Sequence, residues 1–147
     1  ASVGLISLVG TNITQSQEIR ALPAMDSIVP DSTAPNTWQP WSAERVAELN
    51  ASGQPVFVDF TAAWCVTCQY NKRTTLANRA VLDDFAARNV ALLRADWTRR
   101  DPHITAALAQ LGRSGVPVYV LYAPGKTPRV MAEILSTDEV HAALSSL

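Results

Sequence analysis

Residues 55–68 read Pro-Val-Phe-Val-Asp-Phe-Thr-Ala-Ala-Trp-Cys-Val-Thr-Cys, and they decide the fold. Pro55 to Phe60 is a short, β-branched and aromatic run, which suits a strand covered on both faces. Directly after it come the only two cysteines of the chain, Cys65 and Cys68, three positions apart. If Cys65 opens a helix, the two lie on one face, close enough for their sulfurs to bond with little backbone movement. Such a pair opens and closes reversibly, so the arrangement reads as a redox dithiol. Free N–H groups and the positive end of the helix dipole favour a thiolate at Cys65, while Cys68, one turn in, is more shielded. Cys65 is then the attacking sulfur and Cys68 the resolving one.

Two blander readings fit the motif less well. A zinc site needs four ligands, and beyond the cysteines only His103 and His141 are soft partners, neither at metal-ligand spacing. An inert structural bridge closing so short a loop would remove little entropy from the unfolded chain. Both histidines read as surface helix residues.

The 147 residues, 48% hydrophobic and 17% charged, suffice for one ordinary globular core. A net charge of -1 with interspersed signs offers no electrostatic case for nucleic acid or an anionic membrane surface. Arg94, Arg99, Arg100 and Arg113 read as scattered, solvated surface. Two cysteines in a CxxC do not fix the compartment, because the arrangement serves reducing and oxidising environments alike.

Residues 1–10 (ASVGLISLVG) are uncharged and apolar but too short to cross a bilayer. With no basic stretch or starting Met, they give poor support for a signal peptide; the trailing end of a transmembrane helix, or a plain leader, fits as well. Residues 11–40 are rich in Ser, Thr, Asn, Gln and Pro, with Pro23, Pro30, Pro35 and Pro40 interrupting any helix. The organisation expected is a linker over 1–40 and one domain over 41–147.

Within that domain Ser42 caps a short helix over Ala43 to Asn50. A helix runs from Cys65 to about Leu76, and Asn78 caps another that Asn89 closes. Val90 to Trp97 reads as a strand, and Asp101-Pro102 starts a helix over Ile104 to Leu111. Val118 to Tyr122 is strongly strand-like, Pro124-Gly125 is a turn, a further strand lies near Arg129 to Ile134, and Thr137 caps a terminal helix. Strands alternating with helices, then a hairpin and a last helix, indicate an α/β sandwich around a mixed sheet.

Val58-Asp59-Phe60, Trp64-Cys65-Val66-Thr67-Cys68 and Gly115-Val116-Pro117 before a strand resemble the thioredoxin superfamily, over roughly residues 40–147. Val66-Thr67, Ala95-Asp96-Trp97-Thr98 and the run from Gly112 to Pro117 are most similar to the C-terminal periplasmic domain of DsbD-type thiol:disulfide interchange proteins. The resemblance implies a thioredoxin-like fold, a central mixed β-sheet flanked by helices, here preceded by an extended N-terminal linker. It also implies a domain on the periplasmic side of the bacterial inner membrane. Such a domain takes electrons from a transmembrane donor and passes them to periplasmic disulfide-bearing proteins or domains. One position departs from the pattern, for these domains often carry an acidic residue four after the second cysteine and here it is Lys72.

Asp59 lies six residues before Cys65 in an apolar strand, so burial would raise its pKa and let it relay the Cys68 proton, matching the buried acid of the family; the alternative is an ordinary strand aspartate reaching solvent at the sheet edge. As an isolated buried carboxylate, its replacement by Asn is expected to slow exchange and leave the fold equally or more stable. Trp64 either shields the dithiol and, with Val66 and Thr67, lines the docking surface, or simply packs in the core. The resemblance makes Pro117 a cis proline facing the dithiol, leaving the Val116 backbone to pair with an extended partner segment.

The reading is a protein-disulfide reductase module that requires no cofactor. Val66-Thr67 lacks the histidine that would strongly stabilise the thiolate, which favours a reductant over an oxidase. Its rivals are a free-standing thioredoxin-like reductant, general or devoted to cytochrome maturation, and a non-catalytic chaperone-like binding module.

Overall fold

The computed structural model describes residues 37–147. The apolar start and most of the linker lie outside those residues. Trp38–Pro40, which the sequence assigns to the linker, is instead a short strand, β1, pairing parallel with Ala91–Asp96. The alternation signal is invisible in three residues that include a proline; an edge strand tolerates Pro40 because only one side of it must hydrogen bond.

The order continues with α1 (Ala43–Ala51), β2 (Val56–Thr61), α2 (Val66–Arg73), a 3-10 turn (Thr75–Ala77) and α3 (Arg79–Ala87). Then come β3 (Ala91–Asp96), α4 (Pro102–Gln110), β4 (Val118–Tyr122), β5 (Arg129–Val130) and α5 (Thr137–Ser145). The five strands form one mixed sheet in the order β1-β3-β2-β4-β5. β1, β3 and β2 run parallel, and β4 and β5 are antiparallel to their neighbours.

Side-chain alternation along the central strands makes two cores. Val56, Val58 and Phe60 of β2 join Leu93, Ala95, Val118 and Val120 beneath α1 and α4, with Leu49, Ile104 and Leu108 covering them. On the opposite face Phe57, Leu92, Tyr119 and Leu121 pack against Val81 and Phe85 of α3 and Val140, Ala143 and Leu144 of α5. Every β2 residue is buried, as the apolar run implies. Asp59 is the exception in kind, a charge in line with Phe57 on the second face.

The helix ends follow their caps. Ser42, Asn78 and Asp101 accept backbone N–H bonds from Arg45, Val81 and His103 at 2.9, 3.0 and 2.7 Å. Three expectations are corrected. The helix after the dithiol stops at Arg73 and finishes as a 3-10 turn. The last helix is capped by Ser136 rather than Thr137, its hydroxyl taking Glu139 N at 3.1 Å. The strand after the turn shrinks to Arg129–Val130, because the segment beyond turns aside to meet α2.

Candidate active site

The C-terminal end of β2 runs through Ala62–Trp64 into α2, placing Cys65 at its N-cap with extended backbone dihedrals. Its sulfur accepts from Cys68 N at 3.1 Å, so one of the otherwise unpaired N–H groups of the first turn points at it. Cys65 and Cys68 are joined in a disulfide with Cα atoms 5.2 Å apart. Both are buried, Cys68 completely and Cys65 at 7% exposure, so the reachable sulfur is that of Cys65. Against the pair pack Ala62 and Val116. The Val116–Pro117 peptide is cis, bringing the chain before β4 onto the dithiol.

The rim is apolar. Trp64 is half-exposed and Val66 almost fully so, with Tyr70 one turn further along α2. Trp64 is held rather than loose, since its indole N–H donates to the Thr98 carbonyl at 3.1 Å and its ring meets that of Trp97 at 6.0 Å.

Asp59 and Lys72, both singled out by the sequence, belong to a charged cluster that also takes in Arg94. Asp59 is fully buried, but it is not isolated: Arg94 Nε donates to Asp59 Oδ2 at 2.9 Å, and Arg94 also lies 4.0 Å over the Trp38 ring. Arg94 therefore leaves the set of solvated surface arginines. Its signal was positional, because Asp59 and Arg94 are register partners on adjacent parallel strands. Lys72, on α2 one turn after Cys68, donates to Thr61 Oγ1 at 2.6 Å. Asp59 Oδ1 is buried and makes no hydrogen bond among the described residues.

Burial holds the Asp59 carboxyl above its ordinary range, opposed only in part by the Arg94 charge and hydrogen bond and by Lys72. Burial likewise depresses Lys72, which Asp59 and Asp96 partly restore and Arg94 lowers further. The cluster thus sets Arg94 of β3 and Lys72 of α2 around the Asp59 carboxyl of β2, and Lys72 alone shares its element with Cys68.

Asn71 fixes α2 from below. Its amide donates to Tyr119 Oη and to the Glu133 carbonyl, both at 2.8 Å, and its oxygen accepts from Leu135 N at 3.2 Å. His103 is exposed beside Asp101, and His141 bonds Asp84 at 2.6 Å across α5 and α3, both remote from the dithiol in the chain and on the helices expected. Among the described residues no group of three or more His, Cys, Asp or Glu could hold a metal ion.

A mixed five-stranded sheet, a helix opening on a CxxC disulfide and a cis proline against it define a thioredoxin-like dithiol domain. The chain belongs to the Thioredoxin-like family, whose pattern matches residues 37–124. It is 29% identical over 111 residues to the Pseudomonas aeruginosa thiol:disulfide interchange protein DsbD 1, covering 72% of this chain and 18% of that protein. With DsbD of Klebsiella pneumoniae it is 34% identical over 82 residues, 52% of this chain and 13% of that one. The chain thus spans less than a fifth of these relatives. Among solved structures, the reduced C-terminal domain of Neisseria meningitidis DsbD superposes with a TM-score of 0.60 at 19% identity, over 75% of this chain and 98% of that domain. A thioredoxin from Thermus thermophilus gives 0.59 at 20%, over 77% and 87%. The last two likenesses concern the fold alone. Among the described residues no helix is long and apolar enough to cross a membrane.

Proposed function

We propose that this chain is a thiol-disulfide reductase module that relays electrons from a membrane-embedded donor domain to periplasmic disulfide-bearing proteins. The observation that carries the reading is the Cys68 N–H aimed at the Cys65 sulfur, 3.1 Å away at the start of α2. After reduction that donor and the helix dipole stabilise a Cys65 thiolate, and the more exposed sulfur is the nucleophile. The similarity to DsbD proteins supports the relay and the periplasmic setting. The polar, proline-rich residues 11–36 suit a tether between membrane and domain.

In each cycle the Cys65 thiolate attacks one sulfur of a partner disulfide, and the other partner sulfur departs as a thiolate and takes up a proton. Cys68 loses its proton, attacks Cys65 in the mixed disulfide and expels the second partner thiol. Two electrons pass to the partner, and the Cys65–Cys68 disulfide returns to the donor domain for reduction. In this reading Asp59 accepts the Cys68 proton, a role supported by its burial on the strand that leads into the dithiol turn and by a carboxyl held above the ordinary range. Val116, next to the cis proline, offers its backbone to an extended partner segment, with Trp64, Val66 and Thr67 flanking it.

The test is a trap. Cys68→Ser leaves attack intact and removes resolution, so a mixed disulfide through Cys65 should accumulate with the partner's cysteine. A folded Cys68→Ser protein that yields no adduct with a peptide disulfide, while wild type reduces none either, would sink the exchange reading.

A further inference from the structure

The loop leaving β3 is built against the dithiol turn, although nothing in the exchange step uses it. Thr98 Oγ1 accepts from Ala63 N at 2.8 Å, and the Thr98 carbonyl accepts from the Trp64 indole. Buried Trp97 donates from its own indole to Thr105 Oγ1 at 2.8 Å, which fixes that ring against α4. The chain then reverses at Arg100, whose N–H returns to the Trp97 carbonyl at 2.8 Å. Arg100 has φ +54°, the left-handed region that a residue with a Cβ enters only where its surroundings over-determine it.

The consequence is the position of its side chain. The Arg100 guanidinium lies 5.0 Å from the Trp64 ring centroid and 4.8 Å from that of Trp97. Ring faces engage the flat face of a guanidinium and leave its N–H edges free. Among the described residues no carboxylate pairs with Arg100. The nearby acids are committed elsewhere, Asp96 to the Thr98 N–H and hydroxyl and Asp101 to the cap of α4. A cation with open donors therefore stands over the residue that precedes Cys65.

We propose that Arg100 is a specificity-determining residue that receives a carboxylate beside the cysteine of an incoming disulfide partner. The occupant it fits is an extended segment carrying Asp or Glu next to its reactive cysteine, docked along the Trp64 and Val116 rim. A planar guanidinium fork takes a carboxylate in two parallel hydrogen bonds, which fixes direction as well as charge. This inference rests on the exchange reading, and its test separates the two.

The probes are symmetric disulfides of a short capped peptide with either Glu or Gln on both sides of its cysteine. With the reduced full chain, the Glu peptide should react about fivefold faster than the Gln peptide at low ionic strength, as expected for one exposed but well-aligned charge pair. At about 0.5 M salt the ratio should fall below about twofold. Arg100→Gln should bring the ratio to near one, and Arg100→Lys should keep part of it. A wild-type ratio near one, a ratio indifferent to salt, or a fivefold ratio surviving in Arg100→Gln would each overturn the proposal. If Arg100→Gln does not fold, Arg100→Lys, which keeps the charge and loses the planar fork, decides the matter: an undiminished fivefold ratio there would overturn the proposal. Failure to reduce even the Gln peptide would instead overturn the exchange reading, and this inference with it.

Discussion

Arg94 Nε and Asp59 Oδ2 meet at 2.9 Å across register partners of β3 and β2, so the buried acid of β2 is half of an ion pair. The pair is lopsided. Asp59 is sealed from water, whereas the Arg94 side chain retains 30% of its exposure. Removing either partner therefore has unequal consequences.

Arg94→Met should be the costly change, because it leaves a buried carboxylate with neither oxygen hydrogen bonded, at about 3 kcal/mol near neutral pH. Asp59→Asn should be about neutral or stabilising, since Arg94 can turn to solvent and burial outweighs its attraction for the carboxylate. The pH dependence has a definite sign. With its folded-state pKa raised, Asp59 contributes stability that is full below the carboxylate's unfolded value of 3.8 and is lost as pH rises through the folded value. The gap between Arg94→Met and wild type should accordingly narrow in acid, and the double variant should recover most of the loss. Urea midpoints of the four proteins from acid to neutral pH check this; a larger loss for Asp59→Asn than for Arg94→Met would reject it.

Lys72→Glu should shift the alkylation profile of the reduced dithiol to higher pH. Lys72 sits one turn after Cys68 and is held on Thr61, where it favours anions nearby. A carboxylate there would face Asp59 and disfavour thiolate. The apparent pKa from iodoacetamide rates is the measurement, and an unmoved or lowered value would show that Lys72 faces away from the sulfurs.

Asn71→Leu should destabilise the domain by about 2–4 kcal/mol, since it strands Tyr119 Oη, the Glu133 carbonyl and Leu135 N together. The loop over residues 133–135 should also lose amide-exchange protection at Leu135. A loss under about 0.5 kcal/mol would mean that water replaces all three bonds.

What could be read in advance depended on how local the cause was. Pro55 to Phe60, Val118 to Tyr122 and the caps Ser42, Asn78 and Asp101 each carry their own signal, and the structure places elements on all of them. The dithiol was legible for the same reason, its geometry being set within one helical turn. Arg94 was not, because nothing around it in the chain distinguishes a solvated strand arginine from one facing an acid 35 positions away. Arg100 was hidden likewise, its neighbours Trp64 and Trp97 being assembled only when two loops meet. Trp38–Pro40 failed because three residues are too few to show a period.

The order of the two sulfurs yields the last prediction. Cys65 caps α2, receives the Cys68 N–H at 3.1 Å and retains some exposure, whereas Cys68 is fully enclosed within the first turn. Thiolate character and access both favour Cys65, because alkylation requires the anion and a path to it. In the reduced protein a brief iodoacetamide pulse should label Cys65 at least about tenfold faster than Cys68, read by mass mapping of the peptides. Val66→Arg adds a cation at an almost fully exposed position next to Cys65 and should raise that rate further without touching the cluster around Asp59. Preferential labelling of Cys68 would reverse the roles. Comparable labelling of both would mean that reduction opens the first turn of α2, and the N-cap geometry would then no longer explain the nucleophile.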